Sequence, residues 1–107
     1  MKRYEIRWAR LDPVEGSEMS KTRPVVIVSL DALNAKLGTV TICPITSQVH
    51  PAWRTRLTIR CVGRPAEIAV DQIRSVAKTR IGPLIGVLAR SDAVALRQLI
   101  SQMYGEE

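Results

Sequence analysis

The sequence has one histidine and two cysteines, and its apolar runs are short. Cys43 and Cys61, in TVTICP and LTIRCV, form no CxxC pair and have no histidine cluster beside them. That spacing gives neither a zinc site nor a disulfide framework, so both read as buried free thiols. His50 stands alone and reads as a surface loop residue, so a metal site is not expected. The longest apolar stretches, residues 24–30 and 84–89, have strand length and cannot span a bilayer. The opening MKRYEIRW has no apolar h-region of a signal peptide, which points to a cytoplasmic protein. P-loop, GxGxxG, HExxH and GxSxG motifs are all missing.

What is present is positive charge. Sixteen Lys and Arg face ten Asp and Glu, a net +6, and arginine dominates the cations. The guanidinium fork matches phosphate oxygens, so a polyanion, nucleic acid first, is the partner that composition favours. A solvated basic surface without a partner fits the same composition. With 107 residues, 46% of them hydrophobic, the chain suits one domain with a real core.

Short apolar or alternating runs, ended by Gly, Pro or charge, predict a mainly β fold. Ile6 and Trp8 alternate with Glu5 and Arg7 in a first strand. Residues 12–23 form a long polar loop, and long ordered loops tend to carry function. PVVIVSL, residues 24–30, is apolar on both faces and predicts a central strand. Residues 31–37 predict a helical turn stopped by Gly38, and residues 39–43 a strand closed by Pro44. Residues 56–61 alternate as a half-buried strand, and Gly63, Arg64 and Pro65 mark a turn. Residues 66–70 and 72–76 give two β runs or one bent strand, and residues 84–89 give the last strand. Ser91 is the expected N-cap of a closing helix. Its apolar face is Leu96, Leu99, Ile100 and Met103, and Gly105 ends it. The architecture expected is a closed or nearly closed small antiparallel barrel with a C-terminal helix packed on it.

Three segments carry candidate chemistry. The loop DPVEGSEMSKTRP holds Glu18 and Arg23 at the mouth of a strand. PITSQ, residues 44–48, clusters hydroxyl and amide groups just after a strand. DQIRSV, residues 71–76, sets Asp71, Gln72 and Arg74 on a strand otherwise built of Val and Ile. Each alone also reads as an ordinary turn or solvated loop.

Together they resemble the MazF/PemK-like toxins. LDPVEGSEMSKTRPVVIVS, with its DP, GSE and RP elements, is similar to that family's opening. PITSQ and DQIRSVAKTRI resemble its second and third signatures in the same order, so the likeness covers almost the whole chain. The resemblance implies an SH3-like barrel that forms a homodimer and cuts single-stranded RNA. A cognate antitoxin with a flexible acidic arm would block the RNA groove, and no cofactor is needed.

In that family the Arg of RP and the Thr after Pro-Ile carry cleavage, here Arg23 and Thr46. The Glu of GSE, Glu18, is the carboxylate best placed to serve as base, with Glu15 and Asp12 as lesser substitutes. Asp71, Gln72 and Arg74 would line the groove and read unpaired bases or phosphates, with Ser47 and Gln48 in lesser support. Trp53 reads equally as a base-stacking side chain or antitoxin contact and as a rim or dimer-contact residue. Residues 49–55 are where cleavage specificity is expected. One departure is Arg3 followed by Tyr4, where members often carry Arg-Gly before the first strand. Two rival readings use the same barrel: a CcdB-like topoisomerase poison, and a member that binds RNA without cutting it.

Overall fold

A computed structural model describes residues 1–11, 16 and 21–106. The strands are β1 Glu5–Arg10, β2 Thr22–Ile27, β3 Thr39–Thr46, β4 Arg56–Cys61, β5 Arg64–Ala69, β6 Arg74–Ala77 and β7 Ile81–Val87. Helix α1, Asp31–Lys36, joins β2 to β3, and α2, Arg90–Tyr104, follows β7. Three-residue 3-10 turns, Val70–Gln72 and Lys78–Arg80, flank β6.

All seven strands belong to one antiparallel sheet, in the order β4-β5-β3-β2-β1-β7, with β6 also paired to β3. Among the described residues the sheet curls as a half-barrel, with β4 and β7 at the ends of the path, and α2 packs on it as expected. Its centre is β2, whose Val25, Val26 and Ile27 are wholly buried. Alternation along β2 sends Val25 and Ile27 to one apolar cluster and Val26 to the other, so both faces of the sheet are covered. Val40, Ile42 and Val76 join Val25 and Ile27 in the first of these clusters. Leu96 of α2 closes the opposite core, with Leu99, Ile100 and Met103 packed against it, as the helical spacing predicts.

Four local expectations are corrected. Pro44 does not end β3, which runs on to Thr46. Pro44 stands where β3 passes from β6, paired through Ile42, to β5, paired from Ile45, so the amide it lacks interrupts neither ladder. The hairpin turn is Val62–Gly63, and Arg64 and Pro65 already pair with β4. The DQIRSV segment is not one strand: Asp71 and Gln72 lie in a 3-10 turn, and only Arg74 onward is β6. Helix α2 begins at Arg90 after Ala89, without a side-chain cap, so Ser91 lies inside it. Gly105 does end α2: its N–H donates to the Ser101 carbonyl, and a Cβ there would meet that oxygen at 2.5 Å.

Candidate active site

The site lies where the open ends of β2 and β3 meet the β4–β5 hairpin. Val25 of β2 stands opposite Pro44 of β3. Carried two residues further, that register brings Arg23 beside Thr46, the last residue of β3. A cleft of about 460 Å³ opens there. Arg23, Thr46, Ser47 and Gln48 line one side, and Cys61, Val62, Arg64 and Pro65 of the hairpin line the other.

Thr46 is nearly buried, so its hydroxyl geometry is set by the chain. Its Oγ1 accepts a hydrogen bond from the Gln48 backbone N–H at 3.1 Å. A hydroxyl that accepts in this way keeps its single hydrogen for another acceptor. Thr46 can therefore donate to an oxygen bound in the cleft, which the half-buried Arg23 also lines. The pair offers a positive charge and an oriented donor, the equipment for holding a phosphate as its charge grows.

Behind Thr46 lies a residue that the sequence reading did not single out. Glu67 of β5 is directly opposite Thr46 and completely buried. Its Oε2 accepts the His50 backbone N–H at 2.6 Å, and its Oε1 is 3.7 Å from Nη1 of Arg56. Arg56 also donates from Nε to Asp71 Oδ1 at 2.8 Å, so one buried guanidinium joins two carboxylates. The Trp53 ring stacks on His50 with centroids 3.9 Å apart, and the Arg56 guanidinium lies over it at 4.7 Å. The segment after PITSQ is thus clamped to β4 and β5. A lone Glu inside the apolar run 66–70 was the one signal for this, since buried carboxylates need partners.

The sequence-predicted residues fall into three groups. Arg23, Thr46, Ser47 and Gln48 share the cleft. Asp71, Gln72 and Arg74 line a separate hollow with Ile73. Arg74 stands opposite Ile42, four residues before Thr46, which is about 13 Å along the strand at ~3.3 Å per residue. Glu18, with Glu15 and Asp12, lies outside the described residues. His50 is half-buried in the stack rather than a plain surface residue, and Trp53 spends its ring on His50 and Arg56.

Titration follows these contacts. Burial raises the Asp71 carboxyl, but the hydrogen bond and charge of Arg56 outweigh it and hold the group below its ordinary value. Burial, reinforced by the negative Asp71, pushes the Cys43 thiol up to about 12. Cys61, only partly buried at the cleft, is also raised by burial.

Known proteins resemble this chain in sequence and in fold. The chain is 36% identical over 113 aligned positions to endoribonuclease MazF9 of Mycobacterium tuberculosis (strain ATCC 25618 / H37Rv), covering 92% of this chain and 89% of that protein. It is 34% identical to endoribonuclease MazF of Staphylococcus saprophyticus, over 76% of this chain and 72% of the relative. The crystal structure of MazF from Deinococcus radiodurans superposes with a TM-score of 0.87 at 20% identity, covering 99% of this chain and 97% of that one. The Mycobacterium tuberculosis toxin MazF-mt6 superposes with a TM-score of 0.80 at 25% identity, covering 96% and 98%. The model of the PemK-like, MazF-like toxins of type II toxin–antitoxin systems matches residues 2–104, and the chain belongs to that family.

Proposed function

We propose that this chain is the endoribonuclease toxin of a type II toxin–antitoxin pair and cuts single-stranded RNA at short sequences without a metal ion. The observation that carries the reading is the cleft shared by Arg23 and Thr46. The names of the relatives, endoribonucleases in Mycobacterium tuberculosis and Staphylococcus saprophyticus, support the reaction class.

The nucleophile is the RNA's own 2′-hydroxyl. Its oxygen bonds to the adjacent phosphorus while the bond to the 5′-oxygen breaks, leaving a 2′,3′-cyclic phosphate and a 5′-hydroxyl. A base takes the 2′ proton, and the leaving 5′-oxygen takes one from solvent water. Glu18 is the proposed base on its place in the GSE motif. Arg23 offsets the growing charge on the phosphate through two donors. Thr46 donates to a non-bridging oxygen, using the hydrogen that the Gln48 contact leaves available. Ser47 and Gln48 hold the neighbouring nucleotide, while Gln72 and Arg74 read bases further along the strand. Asp71 acts there chiefly through its pairing with Arg56.

Two copies of the chain form the working unit in this reading. Exposed Trp8, Leu84 and Val87 on β1 and β7, and Leu30, Leu33 and Leu37 at α1, are apolar surface suited to such contacts. The antitoxin is a small protein with an acidic flexible arm, complementary to a chain of net charge +6. Solved relatives include an endoribonuclease from a mycobacterial species in complex with its cognate antitoxin.

The test is incubation of the purified protein with a long single-stranded RNA in EDTA. Discrete cuts whose new 5′ ends accept phosphate from a kinase without prior phosphatase support the proposal. Intact RNA, with protein shown to be folded and free of antitoxin, turns the reading to a non-catalytic member or a topoisomerase-binding toxin.

A further inference from the structure

The β4–β5 hairpin turns on Val62 and Gly63, with Cys61 paired to Arg64 across it. Both turn residues are left-handed, at φ 52° and 74°. Two-residue hairpin turns favour that conformation, which Gly, Asn and Asp adopt with little strain. Gly63 suits it. Val62 does not, because a β-branched side chain at positive φ is strained, and this one is 76% exposed, so little packing within the chain offsets the strain. Asparagine would make the better turn. A strained apolar residue kept at an open tip is a pointer to a contact outside the chain.

The same tip forms one wall of the cleft that holds Arg23 and Thr46. Val62 and Arg64 both line it, together with Pro24, Ile45 and Pro65. Arg64 is exposed, and its side chain has no ion pair or hydrogen bond among the described residues. The neighbouring Arg60, by contrast, is engaged with the Gly63 carbonyl at 2.8 Å, which braces the turn. Beside the proposed cleavage pair the cleft thus carries a cation awaiting an anion and an apolar surface awaiting a flat partner.

We propose that Val62 and Arg64 form a substrate-holding tip on single-stranded RNA. Arg64 grips a phosphate next to the one being cut, and Val62 lies against the base of that flanking nucleotide. A guanidinium fork suits phosphate oxygens, and an unpaired base exposes a face that an apolar side chain can cover. The identity of the ligand as RNA rests on the nuclease reading, while the tip itself is read from the cleft.

Binding tests the tip separately from cleavage. A short fluorescent single-stranded 2′-O-methyl RNA of random sequence has no 2′-hydroxyl to attack, so its anisotropy reports affinity alone. Wild type, Arg64→Ala, Val62→Asn and a charge control, Arg97→Ala on α2, are titrated at several salt concentrations and melted in parallel. Arg64→Ala should weaken binding about tenfold, the scale of one charge-assisted contact. It should also flatten the slope of log affinity against log salt by about 0.7, the value for one phosphate contact on a single strand. Val62→Asn should melt higher than wild type yet bind RNA severalfold more weakly. Arg97→Ala should stay within about twofold. Wild-type affinity in both hairpin variants, in a protein that still cuts RNA, overturns the tip and leaves the nuclease reading standing. RNA bound tip-dependently but never cut keeps the tip and removes the nuclease. A wild type that binds no RNA overturns both.

Discussion

The Thr46 hydroxyl accepts the Gln48 backbone N–H at 3.1 Å inside the cleft that Arg23 also lines. That contact leaves the hydroxyl hydrogen available, so under the proposed mechanism the hydroxyl and not the bulk of the side chain should matter. Thr46→Ser is expected to retain cleavage to within about tenfold. Thr46→Val, which keeps the shape, should lose about 10²- to 10³-fold in single-turnover rate, the usual loss for one donor to a growing oxyanion. A valine variant that cleaves as fast as wild type would remove Thr46 from the mechanism.

Glu67 should matter for stability. Removing it leaves Arg56 buried with Asp71 as its remaining carboxylate and the His50 N–H without its acceptor. Glu67→Ala is expected to cost about 3 kcal/mol, the lower end of the range for a broken buried pair. Glu67→Gln keeps an acceptor for His50 and should cost less. Urea denaturation of the two variants checks the order, and an alanine variant as stable as wild type would contradict it.

Asp71 makes part of the stability depend on pH. Its carboxyl titrates lower in the folded chain than in the unfolded one, because the Arg56 hydrogen bond and charge outweigh the effect of burial. The contribution is therefore complete above about pH 4, the ordinary carboxylate range, and fades as pH falls through the folded value. Partial exposure of Asp71 screens the pair and keeps the effect modest. Asp71→Asn should show a flatter fall of melting temperature below about pH 4 than wild type. Parallel acid limbs in the two proteins would contradict the assignment.

The two thiols should differ in reactivity. Cys43 is buried with its thiol pushed up to about 12, while Cys61 is partly open at the cleft with a smaller rise. A thiol-disulfide reagent at neutral pH should modify one cysteine slowly in the native protein and the second only after unfolding. Rapid modification of Cys43 in the folded chain would show that its burial is wrong.

The sequence was most legible where burial imposes a period. An unbroken apolar run gave β2 its central place, and the i, i+3, i+4, i+7 spacing gave α2 its buried face. It was less legible where tertiary pairing overrides local signals. Pro44 looks like a strand end until the change of partner from β6 to β5 is known. Val-Gly is a poor turn signal beside Gly-Arg-Pro, yet the pairing of Cys61 with Arg64 fixes the turn there. Of the candidate site, the motifs gave Arg23, Thr46, Ser47 and Gln48, which the fold gathers in one cleft. The clamp of Arg56, Glu67 and Asp71 joins residues separated in sequence, so the lone Glu67 in its apolar run signals a buried carboxylate but not its partners.

The most direct test of the central claim uses one mapped cut site. A synthetic RNA carrying that site is compared with the same RNA bearing a single 2′-deoxy nucleotide on the 5′ side of the cleaved bond, in EDTA. The account predicts that the all-ribose strand is cut to a 2′,3′-cyclic phosphate and a 5′-hydroxyl, that the 2′-deoxy strand stays whole, and that Arg23→Ala or Thr46→Ala cuts neither at an appreciable rate. Cleavage of the 2′-deoxy strand at that bond, or undiminished cutting by both variants, would contradict it.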